Sequence, residues 1–152
     1  VLDSVAAHGF AWGLYPRHVV RVRLVADELL MNAMFDAGPY RDTPRNAQIE
    51  LRDPIELAIG RAGEAVVIRV TDPFGSMDPD DAVERVRSLL EGRPDARADD
   101  RPGGGVGLVM VARASESLWF EVEPGARTVV TATVGARPGS GCALGVLGRT
   151  GE

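Results

Sequence analysis

Apolar positions recur at helical spacing along two N-terminal stretches. From Leu2 to Leu14 the pattern is carried by Leu2, Val5, Ala6, Phe10 and Leu14 and weakened by Gly9 and Gly13. From Pro16 to Ala37 it is stronger. Pro16 suits a first helical turn, Leu24, Leu29, Leu30, Ala33 and Met34 form a stripe, and Gly38-Pro39 stops the run. The spacing predicts a long central helix there. The polar stretch from Tyr40 to Arg52, interrupted by Pro44, reads as an excursion with a short strand at Gln48 to Leu51.

Beyond it the period changes. Ile55 to Ile59 and Ala65 to Thr71 are strand-like runs around Arg61-Ala62-Gly63-Glu64, a connection of hairpin length. Asp78-Pro79 is an N-cap and first-turn pair, after which Val83, Val86, Leu89 and Leu90 repeat at helical spacing up to Gly92. Arg93 to Pro102 carries almost nothing apolar and is expected to be a mobile loop. Past Gly103-Gly104-Gly105-Val106-Gly107 a further helix runs through Leu108, Val109, Val111 and Ala112 to Ser115. Leu118 to Val122 and Arg127 to Val134 flank Glu123-Pro124-Gly125-Ala126, a second hairpin. Residues 135 to 152 form a Gly-rich tail with one apolar run, Ala143 to Leu147, which reads either as disordered or as an edge strand.

Composition narrows the class. The 152 residues are 45% hydrophobic and 26% charged, values that fit one globular domain and exclude both a disordered chain and a membrane protein. The net charge of −5 gives no basic field for nucleic acid or an anionic bilayer, so neither is expected as a partner. All the basic residues except the two histidines are Arg, and the absence of Lys removes the phosphate-loop Lys of a Walker site. A single Cys142 builds neither a disulfide framework nor a Cys-based zinc site, and a reducing cytoplasm is the expected location. The start at Val1, without Met or a signal pattern, is read as the start of a piece of a longer gene.

Three constellations remain. Glu28 and Asn32 lie four apart on the long helix, on a face that also carries Asp36. Such oxygens can hold Mg²⁺, and they can equally be a solvated polar stripe. Asp72 ends an apolar strand and begins Asp72-Pro73-Phe74-Gly75; it can accept a hydrogen bond from an exocyclic amine while Gly75 lets a flat ring approach, or it can serve as a turn Asp. Gly103, Gly104, Gly105 and Gly107 at a loop-to-helix junction offer backbone N–H groups to an anion, or act as a hinge.

In order and spacing these pieces resemble the GHKL (histidine kinase-like) ATPase superfamily, and within it the compact anti-sigma factor and serine-protein kinase branch. Glu28-Leu29-Leu30-Met31-Asn32-Ala33 looks like its N box, Asp72 to Gly75 like its G1 box and Gly103 to Leu108 like its G2 box. The hairpin Pro124-Gly125-Ala126-Arg127-Thr128 is similar to the end of such domains. The resemblance spans about Asp3 to Val134, leaving 135 to 152 as a tail. It implies an α+β fold of the Bergerat type, a two-layer α/β sandwich whose mixed, mostly antiparallel sheet is covered on one face by helices.

It also implies ATP and Mg²⁺ as cofactors, with Asn32 on the metal, Glu28 as base or water-orienting group and Asp72 on the adenine amine. Gly75 would line the adenine, and Gly103, Gly104, Gly105, Val106, Gly107 and Leu108 would cradle phosphates. Arg93, Arg97 and Arg101 are candidates to close over those phosphates. The implied partner is a protein: a sigma factor, an anti-sigma antagonist or another signalling protein, with a homodimer as a further expectation. The sequence departs from the family where Phe74 and Ser76 stand at two usual Gly positions of the G1 box. Phe35 and Asp36 also occupy places where relatives carry a basic residue and a His. Three functions follow: a kinase that phosphorylates or sequesters a partner, a degenerate nucleotide-binding or protein-interaction module without phosphotransfer, and a histidine kinase catalytic domain. Phe10 and Trp119 are expected in the core, Trp12 is open, and His8 and His18 are read as incidental.

Overall fold

Alternating apolar residues on three central strands give the sheet one oily face, and the helices bury it. The computed structural model describes residues 1–40, 43–44, 46–50, 52–93, 106–137 and 141–147. In chain order the elements are α1 (Leu2–Ala11), α2 (Pro16–Met31), β1 (Glu56–Ala62), β2 (Ala65–Asp72), α3 (Pro79–Leu90), α4 (Val106–Ala114), β3 (Ser117–Glu123), β4 (Arg127–Val134) and β5 (Ala143–Val146). A π-helical turn, Asn32–Asp36, continues α2, and a 3₁₀ turn, Gly38–Tyr40, follows it.

The sheet order is β1-β2-β4-β3-β5, antiparallel at every step except the parallel pairing of β3 with β5. The fold is an α+β sandwich, with helices on one face of a mixed open sheet. Val66, Ile68 and Val70 of β2, Val130, Ala132 and Val134 of β4, and Leu118 and Phe120 of β3 point into one cluster. Val22, Val25, Ala26 and Leu29 of α2 meet them, spaced as one helical face requires. Fully burying a side chain such as Phe120 or Ile68 contributes about 1.5–3 kcal/mol, so this layer holds the sandwich together.

Capping matches the sequence. Pro16 occupies the first turn of α2, and Asp78 caps α3 by accepting from Asp80 N at 3.0 Å and Asp81 N at 3.1 Å. Other expectations need correction. Gln48 to Glu50 form no strand, and Leu51 lies outside the described residues; the polar positions around them offer no apolar face to bury. The first hairpin is tighter than expected, because β1 runs on to Ala62 and leaves Gly63-Glu64 as the turn, with Gly63 at φ +61°. The first helix ends at Ala11 rather than reaching Leu14.

Phe10 is 57% exposed, not core, because α1 turns Val5 and Gly9 inward instead. Trp119 is half-buried on the sheet face away from the helices, and Trp12 is half-buried against the core. His18 is far from incidental: it is 2% exposed, and its Nε2 donates to Val134 O at 3.0 Å. One turn on, Arg21 donates to Gly135 O at 2.7 Å and Ala136 O at 3.0 Å, so α2 grips the end of β4 through two side chains. The tail contributes the edge strand β5, one of its two readings.

Candidate functional site

The long helix brings Glu28 and Asn32 to the start of α4. Both side chains are half-buried on one face of α2, where i and i+4 positions stack. Gly107, in the first turn of α4, is buried directly against them. A Cβ built on Gly107 would collide with Glu28 Oε2 and lie 3.4 Å from Asn32 Oδ1. A carboxylate and an amide oxygen thus converge on a helix N-terminus, whose unpaired N–H groups attract anions. At Asn32 the helix widens into the π turn, a rare geometry often found where side chains are positioned for function. Asp36, at the far end of that turn, is exposed.

Asp72 ends β2, where the chain leaves the sheet toward α3. It is 5% exposed and accepts from Phe74 N at 3.0 Å. Burial pushes its carboxyl above the usual value, while Phe74 N, the nearby Thr128 hydroxyl and Gly75 N pull the other way. Thr128 stands opposite Asp72 in the β2–β4 ladder and is 1% exposed. Its Oγ1 is buried without a well-formed hydrogen bond. A buried carboxyl beside a buried hydroxyl can meet a ligand that both donates and accepts, as the edge of an aminopurine does. Thr128 sat within the hairpin motif of the sequence, but nothing there gave it a role.

Gly75 has φ +56°, and a side chain on it would strike Glu123 O and the N atoms of Gly125 and Ala126. Gly125 N donates to Gly75 O at 3.1 Å. Gly75 therefore pins the Asp72 loop to the β3–β4 hairpin. The Phe74 ring covers Gly38, and Gly38 N donates to Ser76 Oγ at 3.3 Å, so the two residues at usual Gly positions tie this loop to the end of the long helix.

Val106 is exposed, Leu108 half-buried and Gly107 buried at the start of α4. Arg97, Arg101, Gly103, Gly104 and Gly105 lie outside the described residues. Arg93 is engaged with Glu91 at 2.7 Å and Glu84 at 3.4 Å, both exposed pairs of small worth. Among the described residues, a cleft is lined by Pro39, Tyr40, Glu50 and Arg52, away from Glu28, Asn32 and Asp72; Tyr40 Oη donates to Glu50 O at 2.7 Å and accepts from Arg52 N at 3.3 Å.

The family described as histidine kinase-like ATPase domain matches residues 1–134. The chain belongs to that family. A comparison with curated proteins finds no match. In a histidine kinase-like ATPase domain the two ends of this site fit a nucleotide by their donor sets. The Asp72 and Thr128 end offers a buried carboxyl and a hydroxyl, and the Glu28, Asn32 and Gly107 end offers oxygens beside the start of α4. Among the described residues no group of three His, Cys, Asp or Glu could hold a metal ion by itself. If Mg²⁺ accompanies the nucleotide, Asn32 together with phosphate oxygens would make the mixed oxygen set this ion favours. No helix of the described residues is long and apolar enough to cross a membrane.

Proposed function

We propose that this ATPase domain binds Mg²⁺–ATP and acts in signalling as an anti-sigma type serine kinase, phosphorylating or sequestering a protein partner. The observation that supports it is the convergence of Glu28 and Asn32 on Gly107 while Asp72 and Thr128 stand ready at the sheet. When bound, Mg²⁺–ATP supplies the phosphoryl group to be transferred. Asp72 and Thr128 orient the base, Asn32 holds the metal, and the start of α4 receives phosphate charge. Glu28 accepts the proton from the partner's Ser or Thr hydroxyl as that oxygen bonds to the γ-phosphorus and the bond to the ADP oxygen breaks. Positioning and charge neutralisation carry most of such a reaction, so no Lys is required.

Calorimetric titration of ATP with Mg²⁺ tests the binding half. Saturable binding by the wild type that is lost in Asn32→Ala and in Asp72→Asn is expected; absence of binding at millimolar ATP in the folded wild-type protein would refute it. Glu28→Gln tests the transfer half. It should lower transfer to a partner by about 10²–10⁴-fold while ATP affinity holds, and unchanged transfer removes Glu28 from the role of base.

The Phe74 ring on Gly38 favours a second reading, a nucleotide-binding interaction module without phosphotransfer, because it stiffens the loop carrying Asp72 at positions where relatives use Gly. That module would bind its partner equally with and without ATP, whereas strict ATP dependence would count for the kinase.

A further inference from the structure

Asp72 leads into a loop, residues 73–77, that is held at three points. Met77 packs against the core just before Asp78 caps α3. Gly75 is pressed against the β3–β4 hairpin, and its carbonyl accepts from Gly125 N at 3.1 Å. The third point is the end of the long helix. There the Phe74 ring lies so close over Gly38 that a Cβ on that glycine would stand 2.5, 2.7 and 2.8 Å from ring carbons, and Gly38 N donates to Ser76 Oγ at 3.3 Å.

Phe74 acts in two directions at once. Its N–H donates to Asp72 Oδ1 at 3.0 Å while its ring fills the space left by the missing side chain of Gly38. The seat is firm, because Ala33, Phe35 and Ala37 are buried along the π turn that starts at Asn32 and packs beside β2. A glycine at position 74 would offer no ring, and one at 76 no hydroxyl. A strap of contacts therefore runs from Asp72 through Phe74 and Gly38 to the turn that carries Asn32. Ordering a loop on binding subtracts its conformational entropy from the affinity, and a loop already held avoids that loss.

We propose that Phe74 and Ser76 are positioning residues of the nucleotide site: they fasten the Asp72 loop to the end of α2, so that the base-binding and phosphate-binding ends are set relative to each other before ATP arrives. They act through Asp72 and Asn32, and their role depends on the Mg²⁺–ATP site proposed above.

Backbone amide relaxation by NMR and calorimetry on the full chain test this, with Mg²⁺–ATP and ADP as probes. In nucleotide-free wild type the amides of Gly38, Phe74, Gly75 and Ser76 should be as ordered as those of β2, with order parameters of about 0.85. In Phe74→Ala they should fall below about 0.6, and ATP and ADP should both bind at least about fivefold more weakly, because only the seated fraction of the loop is competent. Saturating ATP should restore the order in that variant. A residue that only supported the fold would lower the melting midpoint without this ATP-dependent recovery. Phe74→Leu, which keeps an apolar cap over Gly38, should recover most of the order and of the affinity. Ser76→Ala, at an exposed position, should loosen Gly38 and weaken ATP binding at least about twofold with the fold intact. In a wild type that binds ATP, a loop disordered before nucleotide is added, a Phe74→Ala loop as ordered as wild type, a disordered loop with unchanged ATP affinity, or a Ser76→Ala protein unchanged in both readouts would each overturn the proposal. Absence of ATP binding by the folded wild type would instead refute the nucleotide reading itself, and this role with it.

Discussion

Thr128 faces Asp72 across the antiparallel ladder of β2 and β4, and both side chains are closed off from solvent. A carboxyl and a hydroxyl buried together are costly unless they are hydrogen-bonded; Phe74 N donates to the Asp72 carboxyl at 3.0 Å, and the Thr128 hydroxyl also favours its charged form. The pair is therefore a small deficit in the folded domain, placed where a ligand's donors and acceptors would offset it.

Asp72→Asn should raise thermal stability at neutral pH. Burial holds the Asp72 pKa above its unfolded value, so its contribution to stability is fully present below the unfolded pKa and is lost as pH rises through the folded one. At neutral pH the wild type carries that loss and the Asn variant does not, while Asn Oδ1 still accepts from Phe74 N. Melting curves should show the variant's advantage shrinking as pH falls toward about 4. An advantage independent of pH would contradict the cause given for the shift.

Thr128→Val should leave stability level or raise it by on the order of 1 kcal/mol, because it removes a buried hydroxyl that is not well hydrogen-bonded. The same variant should weaken ATP binding by about tenfold, equivalent to ~1.4 kcal/mol. Calorimetry on one protein preparation reads both. Loss of stability with unchanged ATP affinity would make Thr128 a packing residue.

Gly107→Ala should separate folding from function in the same way. Alanine favours a helix over glycine by about 1 kcal/mol, yet its methyl group would press on the Glu28 carboxylate. ATP affinity should fall at least about tenfold in a protein that melts no earlier than wild type. Unaltered affinity would show that Glu28 and the start of α4 do not share a ligand.

His18→Ala should cost about 2–4 kcal/mol, since it opens a cavity and orphans Val134 O in the interior. For a chain of this size that lowers the melting midpoint by about 5–15 °C, measurable by calorimetry. Below the transition, ATP affinity should match wild type, because the contact lies between α2 and the end of β4.

Elements with a strong period were legible in the sequence. The stripe of α2, the cap at Asp78 and both hairpins follow from local rules that the tertiary structure does not override. What escaped depends on chain-distant partners. Phe10 and Val5 look alike in a helical stripe, and only the docking of α1 on α2 decides that Val5 is buried and Phe10 exposed. His18 acquires its meaning from Val134, 116 residues away, and Thr128 acquires its meaning from the register that sets it against Asp72. The grouping of Glu28 with Asn32 was visible as an i, i+4 pair; that Gly107 lies against them required the fold.

The π turn at Asn32–Asp36 sets a rule for how this helix can change length. A π turn holds one residue more than the α-helical path it replaces. Deleting one residue within 33–36 would restore unbroken α-helical hydrogen bonding, so backbone chemistry alone would tolerate it. It would also rotate the chain after the deletion by about 100° relative to Glu28 and Asn32. Phe35 is buried in the wild type and Gly38 lies beneath the Phe74 ring, and both would lose their seats. Homologous chains that keep this site are therefore expected to be gapless here, with length variation shifted to the polar stretch that follows Tyr40.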